Sequence, residues 1–264
     1  MNDFQRIKPW ANLLGANLRN RVFRDVDLTG VNFANADLTG ATFVRVCLWK
    51  TDFQYATLVN ANLSGTRIDG VNFNWTNLSC ATFRNSVIRY CRFIQSNLAG
   101  ATFTGADFES DVQMTESNLT NADFSGANLR AANFERADLR GANLAAVRFP
   151  HSAHSGTLQN ANLAGQNLAG FNLDHVDFPG AVLANANLVG ASLVHADLRG
   201  TDLSGADLRG ARIRANLTHA KFEGADLSDA DLTGSVSTVR LFSNAVRRTD
   251  LAGAILAQTR GFAS

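Results

Sequence analysis

The sequence predicts a solenoid, a chain wound around one continuous apolar core, and three regularities predict it. Every fifth residue from Leu13 to Phe108 is Leu, Phe or Ile, with no exception. The slot two residues before each of these is small (Ala36, Ala41, Thr51, Ala56, Ala61, Thr66), and Arg21 is its large exception in that stretch. Asn, Asp or Thr predominates in the slot just before the apolar residue (Asn32, Asp37, Thr42, Asp52), and Gly recurs two residues after it (Gly30, Gly40, Gly65, Gly70, Gly100, Gly105).

A period of five suits neither regular element. On an α-helix a five-residue step rotates the side chain by about 140° and smears the apolar residues around the axis. On a flat strand the same step sends alternate residues to opposite faces. These side chains share one core only if the backbone turns a corner about once per repeat. A small inward residue lets the chain approach the axis. Asn, Asp and Gly tolerate corner backbone angles and bond their own turns.

The near-ideal copies Ala36-Asp37-Leu38, Ala122-Asp123-Phe124, Ala137-Asp138-Leu139 and Ala206-Asp207-Leu208 resemble the pentapeptide-repeat family, whose unit is A(D/N)(L/F)xx. The resemblance spans residues 11–234. It implies an all-β fold: a right-handed, four-sided parallel β-helix with one pentapeptide per side. The residues offer a partial check. Positions 33, 53, 73 and 93 are all Phe, while 18, 38, 58, 78 and 98 are all Leu. Sorting by twenty requires an even number of sides, because a triangular coil would mix the two in each stack. At about 4.8 Å per coil, some twelve coils would make a rod roughly 60 Å long.

The elements follow in order. Residues 1–10, with Phe4, Ile7 and Trp10, are expected to cap the N-terminal end, since an open solenoid end needs cover. The repeats of 11–234 slip near 109–113, 150–156 and 214–216. Phe108 and Met114 are six residues apart, so one extra residue lies within Glu109, Ser110 and Asp111. Nine residues separate Phe149 from Leu158 across Pro150, His151 and His154, which fits either a loop within one repeat or two repeats with a deletion. The step from Ile213 to Leu217 is four. In 235–264 the residues Val239, Phe242 and Val246 have helical spacing after Ser237, a candidate N-cap. That segment is expected to cap the C-terminal end or to form a homodimer contact.

Composition excludes several classes. A net charge of +1 does not by itself call for a polyanion or a membrane surface. No apolar run is long enough to span a bilayer, and the N-terminus lacks a signal-peptide core. Three Cys without metal-like spacing (Cys47, Cys80, Cys91) read as reduced thiols, so the expected location is the cytoplasm. Repeat position turns Cys91 inward and Cys47 and Cys80 outward.

No nucleophile–base set, phosphate loop or metal motif appears, so an enzyme, a cofactor and a metal site are not expected. The many Asp residues occupy the corner slot that the repeat itself uses. His151 and His154 in the 150–156 break, and His175 and His195 twenty residues apart, read as surface side chains.

The aromatic residues are sorted. Of 18 Phe, 14 fall on the inward beat, whereas none of the three Trp or two Tyr does. Trp49, Tyr55, Trp75 and Tyr90 fall in outward slots, near Lys50, Arg89 and Arg92. A four-sided winding places Trp49, Lys50, Asp69, Arg89 and Tyr90 up one face, with Tyr55, Trp75 and Arg92 on or near the adjoining edge. Exposed Trp, Tyr and Arg often anchor protein interfaces, so these seven are the candidate partner-binding residues, and Asp69 is not among them. The structural alternative is that the rings lie flat over corners and shield the backbone. The breaks at Glu109, Ser110 and Asp111 and at Pro150, His151 and His154 are candidate loops.

The resemblance also implies a partner. The Qnr-type branch and its mycobacterial relatives resemble duplex DNA in width and charge and bind DNA gyrase and topoisomerase IV. Imitating a polyanion requires dense negative charge. Residues 1–110 carry 8 Asp and Glu against 11 Lys and Arg; the C-terminal coils, 151–235, with 9 against 5, lean acidic. The expectation is a non-catalytic protein-binding scaffold, with a type II topoisomerase as its named partner and antibiotic or toxin resistance as its role. A regulatory module acting on another protein, or a structural rod without a ligand, are the alternatives. Direct nucleic-acid binding is not expected.

Overall fold

The computed structural model describes residues 7–148 and 158–235. Phe4, the 150–156 break with Pro150, His151 and His154, and the tail after Ser235 lie outside them. The chain forms two compact units, Met1–Arg148 and Phe149–Ser264, and no helix occurs among the described residues.

In the first unit the winding number follows from the pairing. Asn12, Asn32, Asp52, Asn72 and Arg92 bridge one another in parallel, each twenty residues from the next, so four pentapeptides complete a coil. The first side carries inward Phe33, Phe53, Phe73 and Phe93; the second Leu38, Leu58, Leu78 and Leu98; the third Phe43, Leu63, Phe83 and Phe103; the fourth Leu48, Ile68, Ile88 and Phe108. All are buried. The result is a right-handed, four-sided parallel β-helix. Its regular strands are short: β1 (Val22–Arg24), β2 (Thr42–Val44), β3 (Arg67–Asp69), β4 (Val87–Arg89), β5 (Asp107–Ser110), β6 (Val112–Gln113) and β7 (Ala132–Asn133). They pair as β1-β2, β3-β4-β5 and β6-β7, every pair parallel.

One corner chemistry recurs along the chain. The side chain in the Asn/Asp slot accepts the backbone N–H two residues on, as Asn12 does from Leu14 (3.1 Å), Asp27 from Thr29 (2.9 Å) and Asp52 from Gln54 (3.0 Å). The next N–H turns outward to the coil above, as Gly15 N does to Ala34 O at 2.9 Å. Across the turn, Ala16 N donates to Leu13 O at 3.1 Å. The third residue of that four-residue turn is left-handed, the requirement of a type II turn, with Gly15 at φ 67°. This position recurs every five residues, which is why Gly and Asn recur there.

The core is held by ladders of like residues. Phe53 stacks on Phe33 at 5.1 Å and on Phe73 at 5.2 Å, and Phe73 stacks on Phe93 at 4.8 Å. Rings of the opposite third side meet them edge to face, Phe43 against Phe53 at 87° and Phe83 against Phe73 at 90°. Hydroxyls in the small inward slot cost nothing in lost hydrogen bonds, since Thr51 donates to Leu28 O and Thr76 to Phe53 O one coil below. No buried side-chain N or O lacks a partner among the described residues.

Winding already begins before residue 11. Trp10, expected within a cap, is the corner of the first coil: its N–H donates to Thr29 O, and its φ is 65°. At 109–111 the pairing shifts, Arg89 facing Ser110, and the bridges that cross it span one residue more, as in Arg92 with Gln113, before the spacing of twenty returns from Val112 with Ala132. In the second unit the same winding runs through Asn162, Val182 and Asp202. After Ile213 its bridges are one residue shorter, as in Asp197 with Asn216, because that repeat has lost a residue.

Candidate functional site

The first side of the first unit is flanked by two corners, and the outward exceptions of the repeat gather on them. The corner before it carries, coil by coil, Trp10, Gly30, Lys50, Gly70 and Tyr90, preceded by Trp49, Asp69 and Arg89. The corner after it carries Asn35, Tyr55, Trp75, Gln95, Glu116 and Arg136. Between them the outward row is Asn32, Asp52, Asn72, Arg92 and Gln113. Of the column expected on one face, Asp69 and Arg89 end the strands β3 and β4 on the flat fourth side, whereas Lys50 and Tyr90 stand at its corner, and Arg92, expected on or near the adjoining edge, stands on the flat first side. A side chain two residues past the inward one turns the corner, so it projects from an edge.

Lys50, Tyr55, Trp75 and Tyr90 stand in the left-handed backbone region, at φ 56°, 59°, 57° and 54°. Bulky residues seldom adopt it, at a cost of about 1–2 kcal/mol each relative to Gly. Trp49, Tyr55, Trp75 and Tyr90 are all exposed, Tyr90 by 58%.

The two edges are organised differently. On the far edge the Tyr55 and Trp75 rings stack at 5.1 Å and 15°. The Trp75 indole N–H donates to Gln95 Oε1 at 2.5 Å, Gln95 Nε2 to Glu116 Oε2 at 2.6 Å, and Arg136 Nε lies 3.2 Å from Glu116 Oε1. This hydrogen-bonded chain fixes the plane of Trp75. On the near edge Lys50 Nζ lies 4.5 Å above the Trp49 ring centroid. Arg89 holds Asp69 at 2.8 Å and reaches Glu109 at 3.6 Å. The inserted residues thus join this edge, since Tyr90 N donates to Ser110 O at 2.6 Å and Asp111 accepts from Gln113 Nε2. Trp10 matches the shielding alternative, its ring lying on Gly30 so closely that a Cβ there would stand 2.2 Å from Trp10 Cε3.

A family model described as "Pentapeptide repeats" matches the chain in eight copies, which together span residues 11–145 and 158–236. The chain belongs to the pentapeptide-repeat family.

This pentapeptide-repeat protein is similar to HetL, a pentapeptide repeat protein involved in heterocyst differentiation regulation from the cyanobacterium Nostoc, at 24% identity over 93% of this chain and 88% of that one, with a TM-score of 0.44. It is also similar to QnrB1, a plasmid-mediated fluoroquinolone resistance protein, at 21% identity over 74% of this chain and 88% of that one, with a TM-score of 0.36. A thylakoid-lumen pentapeptide repeat protein of Arabidopsis thaliana shares 28% identity over 38% of this chain and 67% of that one, with a TM-score of 0.35. The curated proteins include no match.

Cys91 is buried, its thiol donating to Arg89 O at 3.1 Å, and burial pushes its pKa up to about 12, so it stays protonated. Cys47 and Cys80 are exposed. His175 and His195 stack at 5.0 Å on a corner of the second unit. No cluster of three or more metal-ligating side chains occurs among the described residues. The acidic excess of the second unit is broken up by ion pairs: Arg199 Nη2 holds Asp197 at 2.6 Å, and Arg209 Nη2 holds Asp207 at 2.7 Å. This Asp-Leu-Arg pairing within one repeat is written in the sequence, where the bare charge count does not reveal it.

Proposed function

We propose that this pentapeptide-repeat protein is a non-catalytic scaffold that binds a protein partner through the first side of its first unit and the two flanking corners. Scaffolding without catalysis is general in the family. The observation that supports the reading is the backbone of the corners. Gly and Asn are the commonest residues there, as at Gly15, Gly65, Asn35 and Asn60, while Asp25, Arg45 and Cys80 stand in the same backbone region on other corners. What sets this face apart is that the rings of Tyr55, Trp75 and Tyr90 share its two corners. Placing Lys50, Tyr55, Trp75 and Tyr90 there costs stability without adding to the core, and such strain gathers at functional sites.

The partner we assign is a bacterial type II topoisomerase, and the role is protection from a drug or toxin. This draws on the resemblance to the Qnr-type branch. It is tested by adding purified protein in excess to a DNA gyrase supercoiling assay, with and without a quinolone. The expected result is altered supercoiling or altered poisoning, lost in the Trp75→Ala/Tyr90→Ala double variant. No effect of the intact protein would remove the topoisomerase. The paired Asp197 and Asp207 favour a second reading, because a surface laced with Arg–Asp pairs is a poor copy of a polyanion. In that reading the same face serves a regulatory partner, recovered by pull-down with the intact protein and lost with the double variant. A purely structural role would leave both assays indifferent to the substitutions.

A further inference from the structure

Arg92 occupies a slot that the repeat normally gives to Asn or Asp, and the turn it would have closed is closed from elsewhere. In a standard repeat this side chain accepts the backbone N–H two residues on; here that group is Ile94 N–H. Asn74, one coil below and buried, accepts it through Oδ1 at 3.0 Å. Position 92 is thereby released from its structural duty. Its neighbours in the same row turn away from it: Asn72 donates to Asp52 Oδ1 at 3.0 Å, and Gln113 bonds Asp111 and Asn133.

The charges around it are unequally committed. Every carboxylate from Asp52 to Glu135 is engaged within the chain. Asp52 accepts from Gln54 and Asn72, Asp69 and Glu109 pair with Arg89, Asp107 accepts from Asn128, and Asp111 from Gln113. Glu116 and Glu135 meet Arg136, and Asp123 accepts from Thr104 and Asn143. Arg92 and Lys50 form no ion pair among the described residues, and both are exposed. Arg92 and Lys50 are therefore the cations of this face that no carboxylate pairs among the described residues, between two edges of exposed rings, while Asp52 and Asp111 bond uncharged groups and keep their charge.

We infer that Arg92 is the ionic anchor of this face and that the partner lays an acidic protein segment across it, between the Trp75 and Tyr90 corners. This rests on the reading of the face as a protein-binding surface. Carboxylate oxygens fit the fork of a guanidinium, and a ring-lined edge on either side excludes water from the pair and strengthens it.

The test is fluorescence anisotropy with labelled polyglutamate, polylysine and single-stranded oligothymidylate as probes, at several salt concentrations. Polyglutamate is expected to bind the intact protein in a salt-dependent manner and to bind Arg92→Gln on the order of tenfold more weakly. Arg92→Asn is the companion variant: it restores the usual turn acceptor, so it folds, and it is expected to lose the same binding. Equal binding by all three proteins, or no binding of polyglutamate to the intact protein, would overturn the inference. So would tighter, Arg92-dependent binding of oligothymidylate, which would make the ligand a nucleic acid. If the topoisomerase or pull-down assay depends on Trp75 and Tyr90 while polyglutamate binding ignores Arg92, the protein-binding face stands and the acidic partner falls.

Discussion

Asn74 accepts the backbone N–H of Ile94 across one coil, at 3.0 Å, in place of the turn acceptor that Arg92 does not supply. Asp174 does the same for Val194 N at 2.8 Å in the second unit, where position 192 is Ser. A bond that ordinarily closes a corner within its own repeat is here made between repeats, and it couples position 74 to position 92.

That coupling is measurable. Asn74→Ala leaves a part-buried N–H without its acceptor and should cost about 1 kcal/mol. Arg92→Asn supplies the missing oxygen from within the repeat, so the double variant should recover most of the loss. Urea denaturation of the four proteins gives the coupling energy. Strict additivity would show that the two positions do not share this turn.

The corners make a second prediction, about glycine. Gly30→Ala places a Cβ 2.2 Å from the Trp10 ring at φ 62°, so it suffers both collision and strain. Gly170→Ala, at φ 70° with nothing within 4 Å, suffers the strain alone. The second should cost about 1–2 kcal/mol and the first distinctly more. Trp10→Ala should relieve the difference, read as a shift in melting temperature.

The inward and outward rings should part company. Phe73→Ala removes a ring stacked on both Phe53 and Phe93 and should cost about 3–5 kcal/mol. Trp75→Ala breaks the Tyr55 stack and the Gln95 bond at an exposed corner and should cost about 1 kcal/mol or less. Partner binding should respond in the opposite order. A large loss of stability in Trp75→Ala would make that ring structural.

Two aspartates should give opposite responses to pH. The Thr39 hydroxyl and the Arg19 guanidinium, with the Thr39 N–H, hold Asp37 down to about 2. Its ionised form contributes stability above its unfolded value of 3.8, and the contribution is lost as pH falls through 2. Asp37→Asn should therefore flatten the acid limb of the melting curve between those values. Burial and the neighbouring Asp197 push Asp177 up. Its ionised form is the disfavoured one, so its burden appears as pH rises through its folded value. Asp177→Asn should raise the melting temperature at neutral pH and have little effect in acid.

The sequence by itself determined the solenoid, the inward set and the outward exceptions. A five-residue period permits one core only around a turning backbone, and that constraint is local. Phe53, Phe73 and Cys91 could be placed inside, and Trp75 and Tyr90 outside, from position alone. The tertiary structure alone decided what lies between coils. It put Glu109–Asp111 beside Tyr90, laid Trp10 on Gly30, stood Tyr55 on Trp75, and gave Ile94 its acceptor from Asn74. Those relations depend on rotamers and on pairings between residues twenty or twenty-one apart. They arise only when coils stack, because each outward side chain chooses between its own repeat, the next coil and solvent.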